Sequence, residues 1–346
     1  MRIRGMERLR RAAGRLWHQI ERRVLILLYH RVAELPSDPF GLAVTPRHFG
    51  EHLEVIRRHY QPLALPQLAK LLRRGGSLPP RSVVITFDDG YADNLHHAEP
   101  LLERWDCPAT VFVTTGYLGQ GREFWWDELD RLLLEPGSLP TSFHLSANGD
   151  TRLWALDEAA HGSTTEDQAQ RRWPDEREPG PRHHLLLAVH EWLRPLPERH
   201  RRQALDQLTK LTGRGTPRPT HLPLTLEELH RLDKSGIVDV GAHTVTHPLL
   251  AAHPAAIQRE EIVQSKCHLE EILGHPVTSF AYPYGTRADY TADTMAIVRD
   301  EGFTCTCSNF PAVVRHSCDP FQLPRFVVRN WEGETFTRCL WEWFHA

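Results

Sequence analysis

Three short stretches offer groups with complementary chemistry. Thr86-Phe87-Asp88-Asp89-Gly90 supplies two adjacent carboxylates. His243-Thr244-Val245-Thr246-His247 supplies two imidazoles four residues apart, and Phe280-Ala281-Tyr282-Pro283-Tyr284-Gly285 an aromatic turn. Tyr29-His30 adds a further imidazole early in the chain. One carboxylate and two imidazoles make a three-ligand site for a divalent cation, with positions left for water and substrate. Adjacent Asp residues on an extended chain splay apart, so one can hold the cation while the other faces bound water. The cation's charge brings the pKa of that water down to about 7, and the free carboxylate can take its proton. This is equipment for attacking an amide or ester carbonyl. Each stretch alone has an ordinary structural reading. Asp-Asp-Gly is a common turn, Tyr-Pro-Tyr-Gly is another, and a His-x-x-x-His spacing means little among 22 His. Their combination, each at the end of an expected strand, is what carries weight.

Those strands are legible as apolar runs. Val24–Tyr29 (VLILLY) and Ser82–Phe87 (SVVITF) are continuous and read as strands buried on both faces. Thr45-Pro46 opens a helix to about His59, and Leu65 to Arg74 forms another, stopped by Gly75-Gly76. A helix ending near Trp105 precedes a strand at Ala109–Thr114. Further on, Thr225 and Glu228 form a capping box, and Ile237–Gly241 is a strand leading to His243. Pro254–Leu273 is a long helix with Gly274 behind it. Short strands follow at Ser279–Tyr282, Phe303–Cys307 and Arg325–Val328. Alternating strand and helix predicts a parallel α/β sheet or barrel. Its sites lie at the C-terminal ends of the strands, where the candidate residues fall.

Between about 117 and 220 the alternation breaks. Helices are expected at Trp125–Leu134, His183–Leu193 and Glu198–Leu211. The stretch reads as a mostly helical insertion with too little apolar content for a core of its own. His144, His161, His183 and His184 read as surface or loop residues, and the Trp125-Trp126 pair as buried packing or as a sugar-stacking wall. Six cysteines without tight spacing argue for free thiols. Residues 1–23 carry Arg2, Arg4, Arg8, Arg10, Arg11 and Arg15 and read as a basic helical leader. No apolar stretch of signal-peptide length precedes Glu21-Arg22-Arg23, so the expected location is cytoplasmic, with a basic start that can touch an anionic membrane surface. No run of about 18 apolar residues predicts a transmembrane segment. Lys+Arg of 41 against Asp+Glu of 44 gives a net charge of −3, which excludes a large basic field for nucleic acid.

The set TFDDG, HTVTH and FAYPYG resembles the polysaccharide deacetylases of carbohydrate esterase family 4. The opening LLYHRV resembles the branch that includes biofilm poly-N-acetylglucosamine deacetylases. The likeness covers about residues 24–115 and 225–330 and implies a distorted (β/α)7 barrel over 24–346, interrupted by the insertion. It also implies metal-dependent deacetylation of a carbohydrate substrate. By position, Asp88 resembles the general base, and Asp89, His243 and His247 the metal ligands. The backbone amide near Tyr284 resembles an oxyanion donor, with Tyr282, Pro283 and Tyr284 walling the substrate groove. The ligand set suits Zn²⁺, and also Co²⁺, Ni²⁺, Mn²⁺ or Fe²⁺. Two departures stand out. The family's third motif begins with an Arg that orients the catalytic Asp, and here that position is Ala281. Arg325 can fill the role, or be a structural Arg on the rim. The family's late Leu-x-His acid has no match before Trp341-Glu342-Trp343-Phe344-His345. In the branch with an early Tyr-His that His serves as the acid, which assigns the role to His30.

The leading expectation is removal of an acetyl group from an N-acetylated sugar in a polysaccharide, an oligosaccharide or a lipid-linked precursor. A barrel amidohydrolase acting on a non-sugar amide is the alternative, as is a carbohydrate-binding protein without turnover. A free base beside a metal argues against the last.

Overall fold

A computed structural model describes residues 23–156 and 180–345. Residues 1–22 of the expected leader helix (1–23), and His161 within 157–179, lie outside the described residues. Seven parallel strands follow one another round the molecule: β1 (Val24–Tyr29), β2 (Ser82–Phe87), β3 (Ala109–Val113), β4 (Val238–Ala242), β5 (Ser279–Ala281), β6 (Cys305–Cys307) and β7 (Phe326–Val327). Each of β1 to β5 pairs with the next in sequence. The last turn closes the ring: Leu323 bridges Cys307 on β6, and Phe326 and Val327 pair with Leu27 and Leu28 on β1. This is the expected (β/α)7 barrel.

Both faces of the strands are covered, which is why their sequences are unbroken apolar runs. Leu25, Leu27 and Tyr29 pack outward with Phe49, Leu53 and Phe336 of the surrounding helices. Val24 and Ile26 belong to another cluster with Val84, Phe112, Ala281, Cys305 and Cys307. The helix starts follow their local signals. Thr45 accepts from His48 N at 3.2 Å ahead of Pro46–His59, and the Thr225–Glu228 capping box is complete ahead of Leu226–Lys234. All six cysteines are free. Among the described residues no helix is long and apolar enough to cross a membrane.

The insertion differs from its reading. Strands β3 and β4 pair directly, Ala109 with Val238 through Val113 with Ala242, so everything between them is an excursion from the barrel. Helices Trp125–Leu134, Pro181–Leu193 and Glu198–Thr212 fall where expected. The apolar content is not thin, because Trp125, Leu129, Leu133, Leu186, Val189, Leu205 and Leu208 close a buried cluster of their own. An unexpected antiparallel hairpin, Ser142–Ala147 with Asp150–Ala155, turns at Asn148 and Gly149, whose φ values of 53° and 79° suit that pair. His183 is buried and not on the surface. Charge ties the excursion together at its root. Arg218 donates to Glu123 and Asp130, both at 2.7 Å, and Arg131 donates to the other Glu123 oxygen at 2.7 Å.

Gly241 on β4 tests how tightly the barrel interior is filled. A Cβ there would lie 2.5 Å from the Phe112 ring and 2.7 Å from Ser279 Oγ. Gly241→Ala should destabilise the protein by roughly 1–3 kcal/mol through overpacking, read as a lower denaturant midpoint at unchanged slope.

Candidate active site

The barrel places the three candidate ligands at adjoining strand ends. Asp89 follows β2, and His243 and His247 follow β4. Asp89 Oδ1 lies 3.6 Å from Nε2 of each imidazole, and the three ligand atoms fall within 4.8 Å of one another. His243 Nδ1 donates to the Ala281 carbonyl at 2.8 Å, which fixes its tautomer and leaves Nε2 for a cation. Asp89 Oδ1 is buried without a hydrogen-bond partner among the described residues. Burial, then the neighbouring Asp88 and Asp127, push the Asp89 carboxyl well above its usual range. Burial likewise pushes both imidazoles down. An orphaned carboxylate oxygen facing two neutral imidazole nitrogens fits a divalent cation by charge and donor type.

Asp88 is managed differently. Arg325 donates Nη1 to Oδ1 and Nη2 to Oδ2, both at 2.7 Å, a bidentate pair sealed inside the barrel. Burial raises the Asp88 carboxyl, but Arg325, His243 and His30 together pull it below its usual value, so it stays ionised. Arg325 is itself pinned by Ser308 O at 2.8 Å and Thr86 Oγ1 at 3.2 Å. The electrostatic partner of Asp88 therefore comes from the segment entering β7, while Ala281 contributes only its carbonyl, to His243.

The loops around these residues are strained and clamped. Asp89, Thr244, His247 and Tyr284 have φ of 74°, 66°, 54° and 60°, left-handed values that non-glycine residues seldom adopt. Glu261 holds the histidine loop by accepting from Val245 N at 2.9 Å, Thr246 N at 2.8 Å and Thr246 Oγ1 at 2.7 Å. From the insertion, buried Arg201 donates to the carbonyls of Thr246 at 2.8 Å and His247 at 3.1 Å. Neither clamp carries a sequence signal: Glu261 is a single residue 15 positions after Thr246 on the helix that follows, and Arg201 a single residue 45 positions before it.

These groups open into one cavity of about 330 Å³, lined by His30, Asp88, Asp89, His243, His247 and Tyr284. Trp126 packs 4.7 Å from the His247 ring and lines the cavity edge, so it serves both core and wall. Tyr284 packs edge-on to His247 at 4.7 Å, and its backbone N–H has no acceptor among the described residues. Tyr282 and Pro283 do not line this cavity. Both are buried, and Tyr282 stacks on Tyr290 at 4.0 Å and donates to Phe321 O at 3.0 Å. His30 opens to the cavity beside Asp88. Its imidazole is pushed down to about 4 by burial, against the pull of Asp88.

The Asp88–Arg325 pair is testable through its linkage to folding. Arg325→Met leaves a buried carboxylate unpaired and should cost roughly 3–5 kcal/mol at pH 7, with much of the loss recovered in the Asp88→Asn/Arg325→Met double variant. The folded pKa of Asp88 is depressed, so the pair stabilises above the usual carboxylate range and its contribution is lost as pH falls below it. Chemical denaturation across pH 3–7 should therefore show a shallower acid limb in Arg325→Met than in the wild type.

The family model for polysaccharide deacetylase matches residues 75–138 and 203–306, which skips most of the insertion. YxkH of Bacillus subtilis, whose name assigns it to the polysaccharide deacetylases, is 29% identical over 129 residues, 36% of this chain and 45% of that protein. The poly-β-1,6-N-acetyl-D-glucosamine N-deacetylase of Escherichia coli is 32% identical over 82 residues, 23% of this chain and 12% of that protein. The matched region thus spans less than half the length of either relative. Among solved structures, IcaB from Ammonifex degensii superposes with a TM-score of 0.58 at 19% identity, covering 94% of this chain and 97% of that one, a likeness of fold. The chain carries a polysaccharide deacetylase domain, its likenesses support carbohydrate esterase family 4, and its sequence relatives include a poly-N-acetylglucosamine deacetylase.

Proposed function

We propose that this protein is a metal-dependent hydrolase that removes the acetyl group from an N-acetylated sugar in a polysaccharide, an oligosaccharide or a lipid-linked precursor. The observation that carries the reading is the pairing, in one cavity, of the buried Asp89–His243–His247 trio with an Asp88 carboxylate held ionised by Arg325. A divalent cation held by that trio, Zn²⁺ or a similar ion, would polarise the acetyl carbonyl and make water acidic enough to lose a proton near neutrality.

The chain's own groups divide the remaining work. Asp88, charged at rest, takes the proton of the attacking water. Arg325 spans both carboxylate oxygens and fixes the plane of the base, so little reorganisation is needed as the proton arrives. The unpaired Tyr284 N–H, held outward by the left-handed turn, donates to the oxygen that gains charge. Trp126 and Tyr284 offer ring faces and edges to the sugar. His30 is neutral at rest, so it cannot begin as the acid. It becomes one once the proton collected at Asp88 is shared with it, and passing that proton to the amine breaks the C–N bond with no net proton gained or lost.

The decisive measurement is acetate release from N-acetylglucosamine oligomers and linked sugars by protein stripped of metal and then reloaded. Activity should vanish on stripping and return with Zn²⁺ or Co²⁺. Asp88→Asn should keep one metal per chain and lose about 10²–10⁴ in turnover, whereas His247→Ala should lose the metal itself. A stripped protein as active as the reloaded one would sink the reading.

A further inference from the structure

The charged groups lining the cavity are not all paired. Asp88 faces Arg325, and Asp89 faces the two imidazoles. Arg194, which also lies over the Tyr284 ring at 4.2 Å, donates to Asp289 at 2.5 Å. Arg329 is the exception. Among the described residues it has no carboxylate within ion-pair distance; the acid whose charge reaches it from farther off is Asp38, whose two oxygens accept from Leu42 N and Ala43 N. Its Nη1 donates to the backbone carbonyls of Phe40 at 3.3 Å and Gly41 at 2.5 Å, which anchors the guanidinium on the cavity wall. The Nε–Nη2 edge makes no hydrogen bond to the described residues. That edge carries two parallel N–H groups, the geometry that grips two oxygens of one anion. Phe40, Leu42 and Val327 line the cavity around it, an apolar setting that strengthens such a contact. Arg329 is near enough to His30 to help hold that imidazole neutral, so the cation stands by the group assigned to the leaving amine.

The cavity's size points the same way. About 330 Å³ is near the lower end of the roughly 300–1,000 Å³ range of small-molecule pockets. It suits one sugar with one substituent better than a run of sugars. Its outer wall includes His190 and Arg194 of the insertion and Phe40 of the loop after β1.

Resting on the deacetylase reading, we infer that Arg329 is a subsite for a phosphate on the substrate, which makes the preferred substrate a phosphate-bearing N-acetylated sugar and not a neutral polymer segment. The shared chemistry is a glycosyl phosphate, as a free monoester or as a diester to a nucleotide or lipid.

The test compares metal-loaded protein acting on N-acetylglucosamine 1-phosphate, on its alkyl phosphodiester and on the neutral methyl glycoside. The wild type should favour at least one phosphate substrate over the neutral one by about tenfold or more in kcat/KM, and the preference should shrink as salt is raised. The monoester and diester arms separate a free sugar phosphate from a linked one. In Arg329→Gln the phosphate-to-neutral ratio should fall to about one, and Arg329→Lys, which keeps charge but not the fork, should lie between. Metal content serves as the check that the variants fold. A wild type that prefers the methyl glycoside, or a preference that survives in Arg329→Gln, overturns the subsite. If none of the sugars is turned over, the deacetylase reading fails instead, and calorimetric titration of Asp88→Asn with N-acetylglucosamine 1-phosphate decides the subsite alone. Binding that is lost on adding Arg329→Gln supports it, and no binding refutes it.

Discussion

Two carboxylates on successive residues, Asp88 and Asp89, are only 4% and 3% exposed in the same cavity, and they cannot both keep their charge there unless each is given a cation. The chain answers with two different partners. Asp88 receives a covalently tethered one, the Arg325 guanidinium, and its carboxyl is held below the usual range. Asp89 receives none from the protein and is pushed well up. On the proposed reading, that asymmetry divides a repelling pair into a base and a ligand. It also sets a demand on the fold. A buried Arg needs acceptors for its donors, and Ser308 O, Thr86 Oγ1 and the two Asp88 oxygens take four of its five N–H groups only because β7 returns beside β1 with Arg325 just ahead of it. Closure of the barrel and ionisation of the base are thus one structural event.

The same constraint explains what was legible in the sequence. Local signals were sufficient for the barrel: apolar runs such as VLILLY and SVVITF, the Thr45-Pro46 start and the Thr225–Glu228 box lie within a few residues of the elements they specify. The site residues were legible too, because Asp88, Asp89, His243 and His247 sit in short motifs at strand ends. What was not legible is long-range. Arg325 lies 237 positions from Asp88 along the chain, so only the closed barrel could show that it, and not residue 281, meets the base. Tyr282 looked like a wall because it sits in the aromatic turn. The turn's left-handed Tyr284 swings one ring to the cavity and leaves Tyr282 stacked on Tyr290 inside the core.

The insertion was misjudged for a related reason. Its apolar residues are scattered among Arg, Pro and Gly over some hundred positions, so no local window looks rich. Three helices and a hairpin gather them into one cluster. The Asn148-Gly149 turn was readable in principle, as that dipeptide suits two positive φ values. The network of buried Glu123, Asp130 and Arg131 with half-buried Arg218 was not, since its meaning depends on these charges being folded against one another.

That second core also bears on the site. A clamp on a strained loop works only if the clamp itself cannot move. Arg201 reaches the Thr246 and His247 carbonyls from the same buried helix face that carries Ala204, Leu205 and Leu208, with its guanidinium over the Trp125 ring at 5.2 Å. Trp126, next along, supplies the wall beside His247. If the insertion were a loose lid, His247 would keep its left-handed φ without that support, at a cost of order 1–3 kcal/mol for such a conformation. Packing the excursion rigidly transfers that cost to an apolar cluster remote from the chemistry. The loop that carries His247 therefore depends on the excursion between β3 and β4, and the insertion belongs to the architecture of the candidate metal site as much as the barrel does.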